Sequence, residues 1–544
     1  MKRFFLFLTF TMISNLAISQ ISKLGTPWSF INKVTDINNI DTYVMTPPDI
    51  DMLKADDELM YKFDKKIRIG VIQRVDIDAN NYGSFDYLPN GDIIWRIKIY
   101  SKDAKALSAL FDYYKLPQGV KLYVYNPDKT FVLGAYTSEI NNDENIVPIQ
   151  SVPGEEMILE FNIPSSIDDF SFFNLGEICY IYRDLGIDKA SGSCNVNVAC
   201  SEGANWVNQK NGVVKIRLRA GSYYYLCSGS LVNNTKNDCT PYILTADHCG
   251  YESSTNDLNY WIFYFNYEAG TCNGTTPIYY NHTVTGCTLV AHDNYGSTNS
   301  GSDFFLVKLK NNVPQNYNPY YNGWSRYTTP ISTSGVGIHH PDGDIKKIST
   351  YQNTLYSGYS GYSTHWRVSW VATANGHGIT EGGSSGSPLF NSSGKIIGTL
   401  TSGTTSCDNL NGSDYYGKFS YHWASNGSTN DKKLQPWLDP LNQNPMELNG
   451  RDFCVVNIDD YEILKNSVNI YPNPARDYIN ININNPDIKF FTIYIYDILG
   501  NLIFQSDINY NDTYKYDVSY LEKGTYIIKI TTDINSISLP FITQ

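Results

Sequence analysis

The sequence predicts an all-β protein: a β-rich block in the middle, a mixed α+β region before it and a small β-sandwich after it. Three observations predict this. Tyrosine is abundant, 44 of 544 residues, and Gly and Asn recur between short apolar runs; aromatic residues suit a pleated, half-buried surface, and Gly and Asn make the turns between strands. Helical spacing is sparse in the middle of the chain. The apolar and charged fractions, 42% and 17%, belong to globular rather than disordered material. At roughly 150 residues per domain the length asks for three or four segments. The net charge of −13 argues against general nucleic-acid binding, which needs a basic face.

At the N-terminus, Lys2 and Arg3 precede an apolar run from Phe4 to Leu8, and Ala17-Ile18-Ser19 fits the small-x-small cleavage rule. Residues 1–19 therefore read as a secretory signal peptide. The apolar core is short beside the ~20 residues of a membrane span, so an exported chain that can form disulfides is expected. Residues 20–189 form one mixed region. Ile93 to Tyr100 and Val120 to Tyr125 alternate like strands, and Asp103 to Tyr114 has helical spacing. No catalytic constellation lies there.

The character changes over residues 190–455. Eight of the ten cysteines lie between Cys194 and Cys407, and short strands alternate with Gly/Ser/Asn turns. Such an even cluster reads as a disulfide framework; no CxxC pair supports a zinc site. The block suggests a β-sandwich or barrel, with one short helix starting near Asp431. Residues 467–544 lack cysteine and carry further strands, at Val468 to Tyr471, Phe491 to Tyr496 and Gly524 to Ile530, which make the small sandwich.

Three motifs in the middle block carry chemistry. Leu244-Thr245-Ala246-Asp247-His248-Cys249 delivers a His at a strand end, beside a Cys able to pin the turn. Ser302-Asp303 opens the apolar strand Phe304 to Val307. Gly382-Gly383-Ser384-Ser385-Gly386-Ser387-Pro388 frames a Ser with glycines on a tight turn, where the N–H groups of Gly383 and Ser385 can converge on one oxyanion. Each motif alone has an ordinary structural reading. Their order, His then Asp then Ser, 55 and then 82 residues apart, makes a catalytic triad. Ser385 is the expected nucleophile, His248 the general base and acid, and Asp303 the residue that fixes the imidazole. Adjacent His339 and His340 point to opposite faces of a strand and cannot easily share a metal ion. The run Asp408 to Asp414 lacks the bidentate Glu of a calcium loop.

This block resembles the chymotrypsin-like serine proteases, and within them the bacterial lysyl endopeptidases. The resemblance rests on Ser191 to Asn195, Cys227 to Asn234, Thr245 to Cys249, Ile338 to Pro341, Gly383 to Pro388 and Trp437 to Pro440. Asp247 departs from it, standing where such proteases usually carry Ala or His. The resemblance implies two antiparallel β-barrels with the triad in the cleft between them. It implies the pairings Cys194–Cys407, Cys200–Cys272 and Cys227–Cys249, leaving Cys239 with Cys287 as a possible fourth bridge. It assigns main-chain contacts with substrate to Thr401 and Gly403. A trypsin-type pocket is excluded, because Ile379 stands six residues before the nucleophile. Asp414, in a segment resembling the one that carries the lysyl endopeptidase specificity Asp, becomes the expected partner of a substrate lysine.

The N-terminal region resembles the pro-domains of secreted proteases around Trp95-Arg96 and Leu116 to Val120. The C-terminal region resembles the sorting domain of type IX secretion through Asn469 to Ala475 and Gly524 to Tyr526. The expectation is a secreted serine endopeptidase precursor, without cofactor, cutting after lysine. Its partners would be protein or peptide substrates, its own pro-domain before activation, and the secretion machinery. Maturation is expected between Lys189 and Ala190, without the trypsin-like switch, since Ser384 stands where that switch needs an Asp. A protease of arginyl or glutamyl specificity, or an adhesin on an inactive protease scaffold, are the alternatives.

Overall fold

The computed structural model of the chain describes residues 25–32, 39–60, 66–183, 191–293, 301–329, 331–359, 361–452, 465, 467–483, 490–498, 500–509, 514–532 and 536–544. The expected signal peptide and the expected cut at Lys189–Ala190 lie outside them. The described residues up to 452 belong to one unit, and those from 465 onward to a second.

In the N-terminal region, the helix α1 (Ile50–Met60) is followed by β1 (Ile67–Ile77), β2 (Ile93–Ser101), β3 (Ala106–Tyr114), β4 (Lys121–Tyr125), β5 (Glu156–Ile163) and β6 (Phe173–Ile181). β2, β5 and β4 are neighbours in one sheet, while β1, β6 and β3 are neighbours in another. The helical spacing of Asp103 to Tyr114 is overturned: this segment is β3, antiparallel to β6. Leu107, Leu110, Phe111 and Tyr114 fall at helical offsets, but the strand is buried on both faces for its first six residues. A strand covered on both sides has no alternation to show, so periodicity misreads it.

The middle block contributes β7 (Val213–Ala220), β8 (Tyr223–Leu231), β9 (Tyr242–Thr245), α2 (Asp247–Gly250), β10 (Ile262–Tyr264) and β11 (Phe305–Leu309). There follow β12 (Gly335–His339), β13 (Lys347–Tyr351), β14 (Tyr362–Val368), β15 (Pro388–Asn391), β16 (Ile396–Gly403), β17 (Asp414–Lys418) and α3 (Phe419–Ala424). These strands form two sheets, one running β10-β7-β8-β1-β6-β3 and the other β13-β12-β15-β16-β17-β14. The all-β class holds, but neither sheet closes on itself. In the first, Ser230 and Leu231 of β8 pair with β9, whereas Tyr223 to Leu226 pair with β1 of the N-terminal region. The two regions thus share one sheet. The helix expected near Asp431 is a short 3-10 turn, Asn430–Lys432, followed by a helical turn at Gln435–Leu438. The helix α3 was not read from the sequence.

Three disulfides, Cys194–Cys407, Cys200–Cys272 and Cys227–Cys249, are as the resemblance implied. The fourth is corrected: Cys287 is a free thiol in the core, and Cys239 is disulfide-bonded elsewhere. Burial pushes the Cys287 thiol up and raises that of Cys179, the other free cysteine among the described residues, to about 12, so both are inert.

The second unit has a three-stranded sheet, Val468–Tyr471, Tyr478–Ile483 and Tyr514–Asp517. Its four-stranded sheet contains Phe490–Tyr496, Leu502–Asn509, Gly524–Thr532 and Ser536–Thr543. Their shared core includes Ile479, Ile481, Ile493, Ile495, Ile528, Ile530 and Phe541. Among the described residues no helix is long and apolar enough to cross a membrane.

Candidate active site

β9 runs into the single helical turn α2, all four of whose residues are buried. The Cys227–Cys249 bridge ties this turn to β8. β9 also pairs with β11, Thr245 opposite Phe305, so Asp303, two residues ahead, arrives beside His248. Asp303 has φ +61°, a region that Asp tolerates better than most residues. Its Oδ2 lies 2.7 Å from His248 Nδ1, and its Oδ1 accepts the His248 backbone N–H at 2.9 Å. Both oxygens are thus spent on one residue, which places a proton on Nδ1 and leaves Nε2 as the ring's acceptor nitrogen. Burial pushes the Asp303 carboxyl upward, while the charge and hydrogen bonds of His248 pull it down.

Two further carboxylates stand close by. The Asp303 N–H donates to the buried Asp293 carboxylate. Asp247, the departure noted in the sequence, is buried and accepts from His292 Nδ1 at 2.8 Å. Neither contact was read from the sequence, because each partner sits on another strand end and no local motif connects them. The same is true of His422. Its Nδ1 lies 2.8 Å from Ser302 Oγ and its Nε2 3.0 Å from Thr399 Oγ1, bracing the residue before Asp303 against β16. Burial holds His422 well below its ordinary range, in the neutral form.

Ser385 is fully buried, and its Oγ makes no hydrogen bond. It is brought to the pair through the main chain, its carbonyl accepting the Ser228 N–H at 2.8 Å. The structure therefore brings His248 and Asp303 into direct contact and sets Ser385 beside the disulfide-linked strand, without closing the Ser385–His248 bond. Such bonds are often long before substrate arrives. The Gly383 and Ser385 N–H groups, expected as the oxyanion hole, donate to no acceptor among the described residues. Gly383 has φ +83°, and a Cβ there would lie 3.0 Å from His340 O, so glycine is required. Ser384 Oγ pairs with His339 Nδ1 at 2.8 Å, and His339 Nε2 with Ser349 Oγ at 3.1 Å. This buried chain ties the Ser385 turn to β12 and β13.

Asp414 opens β17 and is fully buried, not part of a solvated turn. Its Oδ2 accepts from Trp370 Nε1 at 2.6 Å and Thr380 Oγ1 at 2.7 Å, and both oxygens lie 2.8 Å from Thr405 Oγ1. Thr380 directly follows Ile379, so the carboxylate arrives from β17 beside the position a trypsin-type Asp would occupy. Gly403 pairs with Asp414, while a bulge between Leu400 and Ser402 leaves Thr401 out of the ladder with β17. The Thr401 hydroxyl lies 3.0 Å from His365 Nε2. Burial and Lys418 lower the His365 pKa to about 3, so this imidazole is neutral.

Asp342 adjoins the turn that bears Ser385, with φ +50° and its N–H on Gly382 O at 2.6 Å. Burial, reinforced by Glu381 and Asp344 and opposed by Arg183, raises its carboxyl to about 7. Between the unfolded value, ~3.9, and about 7 only the folded chain holds this proton, so its contribution to stability is lost as pH rises through that window. An Asp342→Asn chain, neutral throughout and tolerant of the same φ, should lose less Tm than the wild type across that window. Thermal unfolding followed at both ends of the window checks this.

A buried Asp–His pair, a Ser on a glycine-flanked turn and two unengaged N–H groups beside it form the constellation that chymotrypsin-like serine proteases use. Comparison with known proteins narrows the resemblance. The lysyl endopeptidase C-terminal domain family matches residues 189–417, and the secretion system C-terminal sorting domain family matches residues 469–544. A lysyl endopeptidase of Pseudomonas aeruginosa is 30% identical over 297 residues, which cover 51% of this chain and 58% of the relative. An endo-acting ulvan lyase of Formosa agariphila is 33% identical over 81 residues, 15% of each chain. The chain thus spans less than two thirds of either relative. Among solved structures, serine protease AL20 from an extremophilic microorganism is 16% identical, with a TM-score of 0.29, over 40% of this chain and 99% of that one. Protease Anisep of Arthrobacter nicotinovorans is 19% identical, with a TM-score of 0.28, over 39% and 91%. A Glu endopeptidase is 18% identical, with a TM-score of 0.28, over 42% and 93%. The sorting domain marks the chain as secreted, and three disulfides fit an oxidising compartment.

Proposed function

We propose that the chain is the precursor of a secreted serine endopeptidase that cuts on the carboxyl side of lysine. The observation that carries this reading is the buried His248–Asp303 pair, both carboxylate oxygens engaged, beside the turn that bears Ser385. Ser385 Oγ attacks the scissile carbonyl and passes its proton to His248 Nε2. The Gly383 and Ser385 N–H groups receive the negative charge that develops on the carbonyl oxygen. As the tetrahedral intermediate collapses, the leaving amine takes the proton from His248. Water then enters by the same route and frees the acyl group. Asp303 holds the ring and balances its transient charge. Thr401 and Gly403 offer main-chain groups to the substrate strand, and the substrate ammonium approaches Asp414. A fluorophosphonate should label Ser385 in the wild type, as read by peptide mass mapping. Labelling elsewhere, or none, sinks the assignment.

Residues 20–189 act as the pro-domain in this reading. β1 occupies the edge of β8 at Tyr223 to Leu226, next to the Cys227-Ser228 pair that reaches the nucleophile turn. Residues 467–544 act as the export signal. Their deletion should leave folding and peptidase activity intact while the protein stays with the cell. Comparing activity in medium and cell fractions checks this; normal release of the truncated chain contradicts it.

A further inference from the structure

We propose that Ser228 is a positioning residue whose hydroxyl holds the oxyanion hole open. The inference rests on reading Ser385 as the nucleophile, and it adds a residue that neither the triad nor the hole itself includes.

An oxyanion hole needs N–H groups aimed at one point and not spent on the protein. In a planar trans peptide the N–H points opposite to the carbonyl of the same plane, so whatever grips that carbonyl sets the aim of the N–H. The Gly383 N–H shares its plane with Gly382 C=O, which accepts from Asp342 N–H at 2.6 Å. The Ser385 N–H shares its plane with Ser384 C=O, which accepts from Ser387 N–H at 3.0 Å. Between them lies the Gly383–Ser384 plane, the hinge of the hole. Its carbonyl accepts from Ser228 Oγ at 2.9 Å, and its N–H donates to Glu381 O at 3.1 Å. Of the three carbonyl grips, only that of Ser228 comes from a side chain.

The hydroxyl has one proton to give. Because Ser228 Oγ accepts the His340 N–H at 3.0 Å, that proton is directed to Gly383. The rest of Ser228 is equally committed. Its N–H donates to Ser385 O at 2.8 Å, and its carbonyl accepts from Thr245 Oγ1 at 2.7 Å. It follows Cys227, whose disulfide reaches the residue after His248. Ser228 thus grips the nucleophile turn on both sides of Ser384 from one rigid strand. Gly383 has no Cβ and sits at φ +83°, so without this grip the plane loses its carbonyl anchor and turns more easily about the one bond from the Ser384 N–H to Glu381 O. A turned plane swings both donors off their common point.

The test uses the full-length chain, assayed as secreted, with Ser228→Ala beside the wild type. Losing a hole donor outright costs about 10²–10³ in kcat. Loosening the hinge should cost somewhat less, about 10- to 100-fold in kcat, with KM within about threefold. Affinity for a peptide aldehyde, whose adduct carries the oxyanion, should fall by the same factor as kcat/KM. A role confined to packing would not link these two losses. Ser228→Thr, which keeps the hydroxyl, should recover most of both. If Ser228→Ala does not fold, Ser228→Cys, a similar volume with a weak donor, carries the same expectation. Wild-type kcat and aldehyde affinity in the variant overturn the proposal, as does a loss confined to KM. A parallel Ser385→Ala chain separates the two readings: turnover persisting there removes the nucleophile assignment, and the Ser228 proposal falls with it.

Discussion

Replacing Ser385 with alanine should bring peptide hydrolysis down to near background, a loss on the order of 10⁶ in kcat. The size follows from the proposed chemistry. Without Oγ no covalent intermediate forms, and His248 has no nucleophile to deprotonate; what remains is binding and the oxyanion donors. The variant should also be a clean one. Ser385 Oγ is buried and makes no hydrogen bond, so its removal strands no partner, and it is stranded partners that make such deletions destabilising. Tm should therefore stay close to that of the wild type. Steady-state kinetics and thermal unfolding on the same preparation check both halves. Turnover within about tenfold of the wild type contradicts the triad.

The second large effect is expected at Asp414. Removing one member of a buried ion pair costs roughly 3–5 kcal/mol, so Asp414→Asn should lower kcat/KM on lysine substrates by about a hundred- to a few thousand-fold. The carboxylate is already oriented by Trp370, Thr380 and Thr405, so the pocket is preformed and little of the substrate's binding energy goes into ordering it. An amide in its place turns an N–H₂ toward some of these donors, and about 1–3 kcal/mol of stability should be lost as well. An activated ester without a basic side chain separates the two effects: its hydrolysis should survive far better than that of a lysine peptide. Unchanged lysine cleavage would leave the triad standing and remove Asp414 from the pocket.

How much of this was legible in the sequence depended on whether the signal was local. The His248 turn and the Ser385 turn each carry a local signal within about eight residues, a strand end with a cysteine pin and a glycine frame, which chain order then joined into one site. Asp303 was legible through chain order. Asp414 was singled out by resemblance alone, and neither its burial nor its contacts with Trp370, Thr380 and Thr405 could be read from the sequence. The bracing contacts, His422 to Ser302, His292 to Asp247 and Ser228 to Gly383, join residues far apart in sequence, and no local pattern marks them. The misread strand β3 failed for a related reason. A doubly covered strand and an amphipathic helix place apolar residues at overlapping offsets, and only the strand's neighbours decide between them. The Cys239–Cys287 pairing failed because elimination among cysteines treats every remaining thiol as available to the others, whereas Cys287 stays a free thiol in the core and Cys239 is bonded to another cysteine.

The central claim is that Ser385, His248 and Asp303 cut peptide bonds and that Asp414 selects the residue before the cut. Digestion of a mixed protein pool, with every new C-terminus sequenced, tests it most directly. The account predicts new C-termini ending overwhelmingly in lysine, absent from a digest with the Ser385→Ala chain and strongly depleted with the Asp414→Asn chain. New ends dominated by Glu, Phe or Arg would contradict the assigned specificity, and an unchanged pool would contradict the endopeptidase itself.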